Sequence, residues 1–533
     1  GRSATIRDQC LKMSLTSALL YFISIVIASL VLLAALVALY FKRSWSFWRS
    51  RNVREFPVEF PYGNAKEIMT RTMSFGERIA RLYEECQSLG LRYCGFYFFT
   101  KPMLMVTDVD LAKTILTKDF QHFTDHPFYV NEEVDPLSGH LFSLQGEKWR
   151  NLRAKLTPVF TSGKLKMMFQ TIVGCSPEMV NLVGKGIGSP LDIKDIAERF
   201  TIDIIGTCAF GIECNTLLNP NSDFHKYGKR FFSSTPFEAF KSFSALTFPQ
   251  IFHKFNLTLV KKDVAKFFTD IVFETVKYRE ENNIVRNDVM HLLLQLKNNI
   301  SIEDDGDGKG HFTKKGDGNS LTMNELAAQA FVFFIAGFEA ASITLTFCLY
   351  ELAANMELQM KVKKEISKVL GRHGNKMSYE ALMEMTYMEQ CIYETLRVHP
   401  TISFISRLCT KTYKVPDSDL TINKGEQLHI PILGFQRDPQ HFPDPLRFDP
   451  DRFSTENKTT RHPFSWLPFG EGPRICIGMK FGVLQTKVGL TALLMNYKFT
   501  VNPKTKRPIK LIPFGHSTKV DGGLWLDAVK EKI

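Results

Sequence analysis

The chain has 533 residues, 44% of them hydrophobic, and carries 67 Lys and Arg against 55 Asp and Glu. This hydrophobic share excludes an intrinsically disordered chain, while the length allows either two ordinary domains or one large enzyme fold. The net charge of +12 suits nucleic acid, an anionic membrane face or an acidic protein partner. Because the sequence carries no nucleic-acid-binding motif, we expect no nucleic-acid partner.

The N-terminal region contains a long uncharged segment. Ser14 to Phe41 has no charged residue, whereas roughly 20 apolar residues suffice to cross a bilayer. The run is too long for a cleaved signal peptide, and no small-residue cleavage site follows it. It therefore predicts a transmembrane helix. Five basic residues follow this helix and three precede it, so the positive-inside rule predicts a cytosolic body. The five are Lys42, Arg43, Arg49, Arg51 and Arg54.

The anchor divides the chain into four parts. Trp45 and Trp48 directly after it suit an aromatic belt at the membrane interface, and the prolines beyond them stiffen the connection. The predicted parts are an upstream tail (1–12), a signal anchor (13–41), a basic, proline-containing linker (42–63) and one catalytic body (64–533).

The body is predicted to be mainly α with a smaller β-sheet region. Tyr93 to Phe99 and Leu104 to Val106 have the composition of a strand hairpin, and helical periodicity dominates the middle of the chain. The Phe-rich, Lys-flanked region Phe237 to Phe255 is interpreted as core helices rather than as a membrane-contacting surface. Glu303 to Ser320 is polar and glycine-rich, which predicts a mobile loop without function. Leu321 to Ala354 is predicted to be a long apolar helix.

One cysteine stands out from the ten. The others are scattered without a CxxC pair, which indicates a reducing compartment. Cys476 lies in Phe469 to Gly478, FGEGPRICIG, just before the apolar helical run Met479 to Tyr497. The positive end of that helix and the nearby Arg474 both favour a thiolate, the form that ligates iron. A lone cysteine would be interpreted as a buried, inert thiol, but the ten-residue pattern favours the ligand.

The residues around Cys476 also have physical uses. Gly472 and Gly478 allow close backbone approach, so that amide groups can point at the sulfur. Phe469 can shield the sulfur from water. The guanidinium of Arg474 can bind a carboxylate group.

The pattern FxxGxRxCxG before a helix resembles the haem-binding loop of the cytochrome P450 family. The segment YETLR, which contains Glu394 and Arg397, resembles the ExxR helix pair of that family, and PDRF supplies a second arginine, Arg452. The resemblance implies a cytochrome P450-like fold in which these three residues form a structural network. It also implies haem b (iron protoporphyrin IX) as the cofactor, with Cys476 as the axial iron ligand.

Further matches concern the haem propionates. Trp149 and Arg153 in WRNLR resemble the WxxxR helix of the family, and their spacing would direct both side chains towards a propionate. Arg407, seven residues after Pro400, resembles another propionate partner. Together with Arg474 these residues form the expected propionate site.

One motif departs from the family pattern. The segment AGFEAAS, Ala336 to Ser342, resembles the oxygen-activating motif AGxxT with an acid before the threonine, but Ala340 occupies the threonine position. The threonine hydroxyl helps to deliver protons during oxygen activation. The resemblance therefore assigns the catalytic positions to Glu339 and Ala340. Ser342 points to another helix face, and Thr344 lies on the same face one turn away.

Two further segments resemble the insect microsomal branch that oxidises xenobiotics and plant compounds, Phe200 to Asn215 and Arg286 to Asn298. The resemblance implies a monooxygenase that inserts one oxygen atom of O2 into apolar small molecules. Electrons would come from NADPH through NADPH-cytochrome P450 reductase, with cytochrome b5 as a second partner, at the endoplasmic reticulum membrane. The expected pocket lining is His122 to Phe142, Phe331 to Phe338, Ile402 to Ile405 and Phe514 to Ser517.

Two alternatives remain open at this stage. A haem-thiolate isomerase or dehydratase acting on oxidised lipids would not need the threonine hydroxyl, so Ala340 favours it. A non-catalytic haem-binding membrane protein is the other alternative, and the intact Cys476 loop with Glu394 and Arg397 argues against it.

Overall fold

The computed structural model describes residues 2–233, 235–286, 288–298, 300–303, 311–314, 320–512 and 520–531. The α-helices are α1 Arg2–Ser44, α2 Lys66–Met69, α3 Phe75–Ser88, α4 Val109–Leu116, α5 Gly146–Leu156, α6 Ser162–Gly174, α7 Ser176–Lys185, α8 Ile193–Ile205, α9 Asp223–Phe232, α10 Pro236–Thr247, α11 Pro249–Lys254, α12 Lys262–Glu281, α13 Val289–Lys297, α14 Met323–Ala354, α15 Met356–Arg372, α16 Tyr379–Glu384, α17 Thr386–Val398, α18 Ile432–Arg437, α19 Thr455–Lys458 and α20 Met479–Asn496. The strands are β1 Tyr93–Phe98, β2 Lys101–Val106, β3 Leu191–Asp192, β4 Ile300–Glu303, β5 His311–Lys314, β6 Ile405–Leu408, β7 Tyr413–Lys414, β8 Thr421–Ile422, β9 Gln427–Ile430, β10 Tyr497–Val501 and β11 Trp525–Lys530.

Helices dominate and the strands are short, which confirms the predicted class of mainly α with a smaller β region. β11 lies between β10 and β3 in an antiparallel three-stranded sheet. β6 pairs antiparallel with β9, so that Arg407 lies opposite Leu428. Two more antiparallel pairs join β4 to β5 and β7 to β8. The predicted hairpin is confirmed as β1 and β2.

The long helix α14 is the centre of the core. It begins with a capping box in which the Thr322 side chain accepts from the Glu325 amide while the Glu325 carboxylate accepts from the Thr322 amide. Although α14 is long and apolar enough to span a membrane, 78% of its most apolar stretch is buried inside the protein. It is therefore a core helix, and it packs against α8 and α20.

The chain divides into two compact units, of which the smaller comprises residues 1–66 and 94–103. Here α1 runs without a break from Arg2 to Ser44, and its apolar stretch from Leu15 is exposed. Trp48 is 1% exposed and its amide donates to the Tyr97 hydroxyl at 3.1 Å. Tyr97 in turn donates to Glu55 at 2.8 Å.

This unit corrects one sequence prediction. Trp48 was expected in an aromatic belt at the membrane interface, but it is buried and Gly95 packs against its indole ring. Val53 and Phe56 of the predicted linker are also buried, and residues 2–12, the predicted tail, lie in the same helix as the anchor. The division of the chain into four parts stays a prediction.

Two segments of the larger unit also differ from expectation. Glu303 to Ser320 was predicted to be a loop, yet β5 lies in its middle and pairs with β4, which ends at Glu303. Residues 304–310 and 315–319 lie outside the described residues. Phe237, Phe240 and Phe255 were interpreted as core, but they are 75%, 52% and 65% exposed. Phenylalanine count alone does not separate core from surface.

A buried ion pair in α17 joins that helix to α18 and to the segment that follows α18. The guanidinium of Arg397 donates from Nε and Nη2 to both oxygens of Glu394 at 2.7 Å, and both side chains are fully buried. Arg397 also donates to the carbonyls of Gln436 and Pro445, while Arg452 lies 3.5 Å from Glu394. The geometry therefore matches the structural network that the resemblance implied for these three residues.

We predict that Glu394→Gln lowers the free energy of unfolding by about 3 kcal/mol or more, because it leaves the Arg397 charge buried without its partner. The measurement is the urea unfolding midpoint at constant slope. Glu384→Gln is the control, since Glu384 pairs with Arg372 on the surface and should cost less than about 1 kcal/mol. Equal effects of the two substitutions would contradict the role of the buried pair.

Candidate functional site

One face of α14 differs from the rest of the helix. Ala336 and Ala340 are exposed, although Phe338, Glu339 and Ala341 around them are buried. Residues four apart share a helix face, so these two alanines mark one small-residue patch in the otherwise enclosed middle of the helix. Such a patch is the expected wall of an internal cavity.

Side chains from neighbouring helices bind the backbone of α14 at this patch. Gln485 of α20 donates to the Gly337 carbonyl at 2.9 Å, and Thr201 of α8 donates to the Phe338 carbonyl at 3.0 Å. Gly337 permits this packing because a Cβ there would lie 2.7 Å from Ile205. Gln485 is six residues into α20, roughly 9 Å of helix rise, so it ties the patch to the segment that follows Cys476.

The polar groups beside Ala340 already have partners. Thr344 donates to the Ala340 carbonyl at 2.8 Å, and Ser342 donates to the Glu339 carbonyl at 2.9 Å. The Glu339 carboxylate is buried, with Oε2 3.1 Å from the Lys194 ammonium. Thus neither nearby hydroxyl substitutes simply for the side chain that Ala340 lacks, and Glu339 is the ionisable group adjacent to the patch.

The cysteine loop is held in shape by its own backbone. The Cys476 amide donates to the Phe469 carbonyl at 2.9 Å, which closes the loop. Gly472 has φ +76°, and a Cβ there would lie 1.9 Å from the Leu116 carbonyl oxygen. Gly472 is therefore required by both its conformation and its close contact. Gly478, in contrast, has open space where a Cβ would be, so it leaves room beside the loop.

The sulfur of Cys476 lies in an unusual environment. Its side chain is exposed, yet burial still raises the pKa of the thiol, as expected for a group on the wall of an internal cavity. The Gly478 amide and the positive charge of Arg153 act in the opposite direction and lower that pKa. The expectation of an amide directed at the sulfur is met by Gly478. The cation that acts on it is Arg153, whereas sequence reasoning named Arg474.

Arg474 is instead held by the segment between α4 and α5. It donates to the carbonyls of Thr124 and Leu144 at 2.7 and 2.8 Å, and Asp125 lies 3.5 Å away. Its guanidinium also stacks on Trp149 of α5, 4.0 Å from the ring centre. Burial and the neighbouring Arg407 lower the pKa of Arg474 to about 9.

Arg407 and Arg153 complete a cluster of three buried or half-buried guanidinium groups. Burial lowers the pKa of Arg407 to about 10, and its Nε has no hydrogen-bond partner among the described residues. Burial also lowers the pKa of Arg153. Within the described part of the chain, Asp125 is the one carboxylate within 4.0 Å of any of the three. Buried charges need compensation, so this cluster requires a further anionic group.

His126 is a member of this site that sequence reasoning did not single out. It is buried, its Nδ1 lies 3.1 Å from the Ser406 carbonyl oxygen and 3.4 Å from Arg407, and its ring contacts Phe128 and Phe142. Burial, followed by Arg407 and Arg474, holds the pKa of His126 well below its usual value, so it is a neutral member of the arginine cluster. Its position within the expected lining segment His122 to Phe142 was the available signal.

Part of the expected pocket lining belongs to the core, and the rest stays a prediction. Phe331, Phe334 and Phe338 are at most 1% exposed and pack on one another and on Phe268, so these rings belong to the core. Ile402 and Phe142 are 49% and 46% exposed. The segment Phe514 to Ser517 lies outside the described residues.

The residues fit a thiolate-ligated haem. Cys476 offers an exposed sulfur with a directed amide, Gly478 leaves open space beside it, and Arg407 carries an orphaned buried donor. The arginine cluster lacks the negative charge that two propionates carry. Trp149, Arg153 and Arg407 all lie near Arg474, and the role of these four residues as propionate partners stays a prediction.

We predict that Gly472→Ala lowers the free energy of unfolding by at least about 2 kcal/mol, because the left-handed backbone is strained and the Leu116 carbonyl leaves no room for Cβ. The matched control is Gly482→Ala in α20, where a Cβ meets nothing within 4 Å and alanine favours the helix. Thermal midpoints of both variants test this. A Gly472→Ala protein as stable as its control would show that the loop can relax.

Comparison with known proteins agrees with this geometry. A family model described as Cytochrome P450 matches residues 61–523. Cytochrome P450 6a2 of Drosophila melanogaster is 38% identical over 508 residues, which cover 94% of this chain and 99% of that protein. Probable cytochrome P450 6a21 of the same organism is 40% identical over 488 residues, covering 90% and 95%. The chain therefore belongs to the cytochrome P450 family of haem-thiolate monooxygenases and is similar to the 6a members of that family in insects.

Proposed function

We propose that this monooxygenase inserts one oxygen atom of O2 into apolar small molecules of xenobiotic or plant origin, with electrons from NADPH through a membrane-bound reductase. The observation that carries the proposal is the apolar small-residue patch in the middle of α14. Ala336 and Ala340 present carbon surface there, which favours apolar ligands. The bound haem supplies the reduction and cleavage of dioxygen.

The chain holds this group through two sets of residues. Cys476 would provide the sulfur ligand of the haem iron, and the Gly478 amide and Arg153 lower the pKa of this thiol. Arg153, Arg407 and Arg474 would bind the propionates, since their charges are otherwise compensated by Asp125 alone among the described residues. Each set explains one unusual feature of the site, the exposed thiol and the unneutralised cations.

We assign proton delivery to Glu339, which lies beside the small-residue patch of α14 that Ala336 and Ala340 form. Its carboxylate is the buried acid next to Ala340, and its Oε1 has no hydrogen-bond partner among the described residues. A free acceptor oxygen can take up and release a proton or bind an ordered water. Ala340 carries no hydroxyl, so Glu339 is the remaining ionisable group for this step, and proton delivery is expected to be less efficient than with a threonine at this position.

The membrane and electron-donor proposals rest on surface features. The apolar stretch of α1 is exposed over its length, and Phe237, Phe240 and Phe255 add exposed rings near Lys241 and Lys254, as expected at a membrane face. An endoplasmic reticulum anchor with a cytosolic body fits these features. The exposed basic residues Lys148, Arg150 and Lys480 suit an acidic reductase, and cytochrome b5 would use the same surface.

The test is turnover by the full-length chain with NADPH and purified reductase in lipid vesicles. An alkoxyaryl ether probe should give a dealkylated product in amounts that depend on NADPH and reductase. Product formed from a lipid hydroperoxide instead, without NADPH, would favour the isomerase or dehydratase alternative. Haem binding without either product would favour a non-catalytic haem protein.

Cys476→His should abolish the strongly red-shifted Soret band of the reduced carbon monoxide complex, because imidazole replaces the thiolate. The measurement is the reduced carbon monoxide difference spectrum at equal haem content. Cys409→Ser is the control, because Cys409 is a buried thiol that is not assigned as an iron ligand. This substitution should leave the band in place. An unchanged spectrum in Cys476→His would refute the ligand assignment.

Ala340→Thr should raise the amount of product formed per NADPH consumed and lower peroxide release, if the missing hydroxyl limits proton delivery. The substitution costs well under about 1 kcal/mol in helix propensity, so folding should not obscure the result. Haem content is measured alongside. A high ratio in the wild type that Ala340→Thr does not improve would show that Glu339 and water suffice.

A further inference from the structure

Three side chains of the kinds that bind metal ions meet where α9 packs against α8. Asp195 and Glu198 lie three residues apart on one face of α8, and His225 lies in the first turn of α9. One ligand atom from each side chain lies within 4.8 Å of the other two. These residues take no part in the haem site, so the cluster is independent of the proposed function.

Each carboxylate pairs through one oxygen with a cation of α8 and directs its other oxygen towards the histidine. Asp195 Oδ2 pairs with Arg199, and Glu198 Oε1 lies 2.9 Å from the Lys194 ammonium. The remaining oxygens, Asp195 Oδ1 and Glu198 Oε2, lie 3.7 and 4.0 Å from His225 Nε2. Both carboxylates are therefore held in place by α8 itself, while one oxygen of each faces the same point.

The histidine presents a lone pair to these oxygens. His225 is 5% exposed, and its Nδ1 donates to the Pro220 carbonyl at 2.7 Å. A carbonyl oxygen can only accept, so Nδ1 carries the hydrogen and Nε2 is the acceptor of the neutral ring. Nε2 is buried and has no hydrogen-bond partner among the described residues. A metal-binding histidine is typically oriented in this way, by a hydrogen bond from its other ring nitrogen to a backbone carbonyl.

A lysine ammonium already places a positive charge between the two oxygens. Lys229 Nζ lies 2.8 Å from Asp195 Oδ1 and 3.3 Å from Glu198 Oε2. It satisfies the carboxylates but leaves His225 Nε2 unpaired within the described part of the chain. The Lys229 side chain is 44% exposed, so its flexible stem can carry the ammonium out to solvent and open a path to the cluster.

Ion pairing alone does not account for the histidine. A buried acceptor without a partner costs free energy, and here it faces two further acceptors, the carboxylate oxygens. A metal ion would satisfy all three atoms, because it binds a lone pair from each. Tetrahedral zinc ligands lie about 3.4 Å from one another. The observed 3.7 and 4.0 Å from His225 Nε2 therefore need to shorten by only a few tenths of an ångström, and the carboxylate oxygens, at most 4.8 Å apart, can approach by side-chain rotation.

We propose that Asp195, Glu198 and His225 form a binding site for Zn²⁺, which displaces the Lys229 ammonium. The imidazole ligand favours Zn²⁺ over Mg²⁺ and Ca²⁺, which bind through oxygen. Three protein ligands leave the fourth coordination position to water. The two charges of the ion balance the two carboxylates once Lys229 has moved to solvent. The bound ion would join α8 to α9 through His225.

The experiment dialyses the full-length, haem-loaded chain against buffered free Zn²⁺ and measures zinc bound per haem iron by elemental analysis. His225→Gln should weaken zinc binding by at least about 10- to 100-fold, the range found when groups that only support a metal ligand are removed. Lys229→Met should tighten zinc binding, because the competing ammonium is gone. His373→Gln is the matched control, since His373 Nε2 lies 2.9 Å from a single surface carboxylate, that of Glu384. It should leave the zinc affinity unchanged.

Three results would overturn the zinc site. The first is a wild type that binds no zinc, and the second is a His225→Gln variant that binds zinc as tightly as the wild type. The third is Mg²⁺ that displaces Zn²⁺ at equal concentration, which would indicate a cluster of oxygen ligands without the histidine. If His225→Gln does not retain haem, Asp195→Asn gives the decision by the same measurement, since it removes a charged ligand. Product formation is not measured, so failure here leaves the proposed function intact.

Discussion

The site depends on three buried or half-buried guanidinium groups that have too few carboxylate partners. Arg153, Arg407 and Arg474 are drawn from a helix, a strand and the cysteine loop, and Asp125 alone among the described residues pairs with any of them. Burying an uncompensated ion costs several kcal/mol, so the folded chain favours a bound anion at this place. Any group that supplies it also stabilises the native state by mass action. Haem binding and folding are thus linked through charge as well as through the sulfur.

The need to surround these guanidinium groups also explains why segments that are distant in the sequence contact one another. Arg474 binds the carbonyls of Thr124 and Leu144, and His126 joins β6 through the Ser406 carbonyl. Gly472 lets the cysteine loop contact the end of α4. Each contact brings a loop to the arginine cluster, so backbone carbonyls surround its cations.

Sequence analysis predicted the elements with strong local signals. The apolar periodicity of α14 and α20, the hairpin of β1 and β2, and the Glu394–Arg397 pair were all found in the structure. Features that depend on tertiary packing were not predicted. Trp48 is buried by Gly95, which lies 47 residues away in the chain, and no local pattern signals such a contact.

At the site, too, local motifs were predicted and contacts that depend on tertiary packing were not. The motif around Cys476 predicted the ligand loop, yet Arg153 rather than Arg474 acts on the sulfur, because three-dimensional neighbours decide electrostatics. Lys194 and Glu198 carried no recognisable motif, since an ion pair at i and i+4 is common on helix surfaces. Only the packing of α8 against α14 reveals that this pair continues to Glu339.

The aromatic rings of α14 and of the segments packed against it affect how this enzyme accommodates ligands. Phe210, Phe224, Phe268, Phe331, Phe334 and Phe338 form one buried, interlocked group. Close-packed rings do not yield without opening voids, so this wall is stiff. The half-exposed Phe142 lies instead in the segment between α4 and α5. A ligand whose shape does not match the cavity would therefore have to displace such segments rather than these rings.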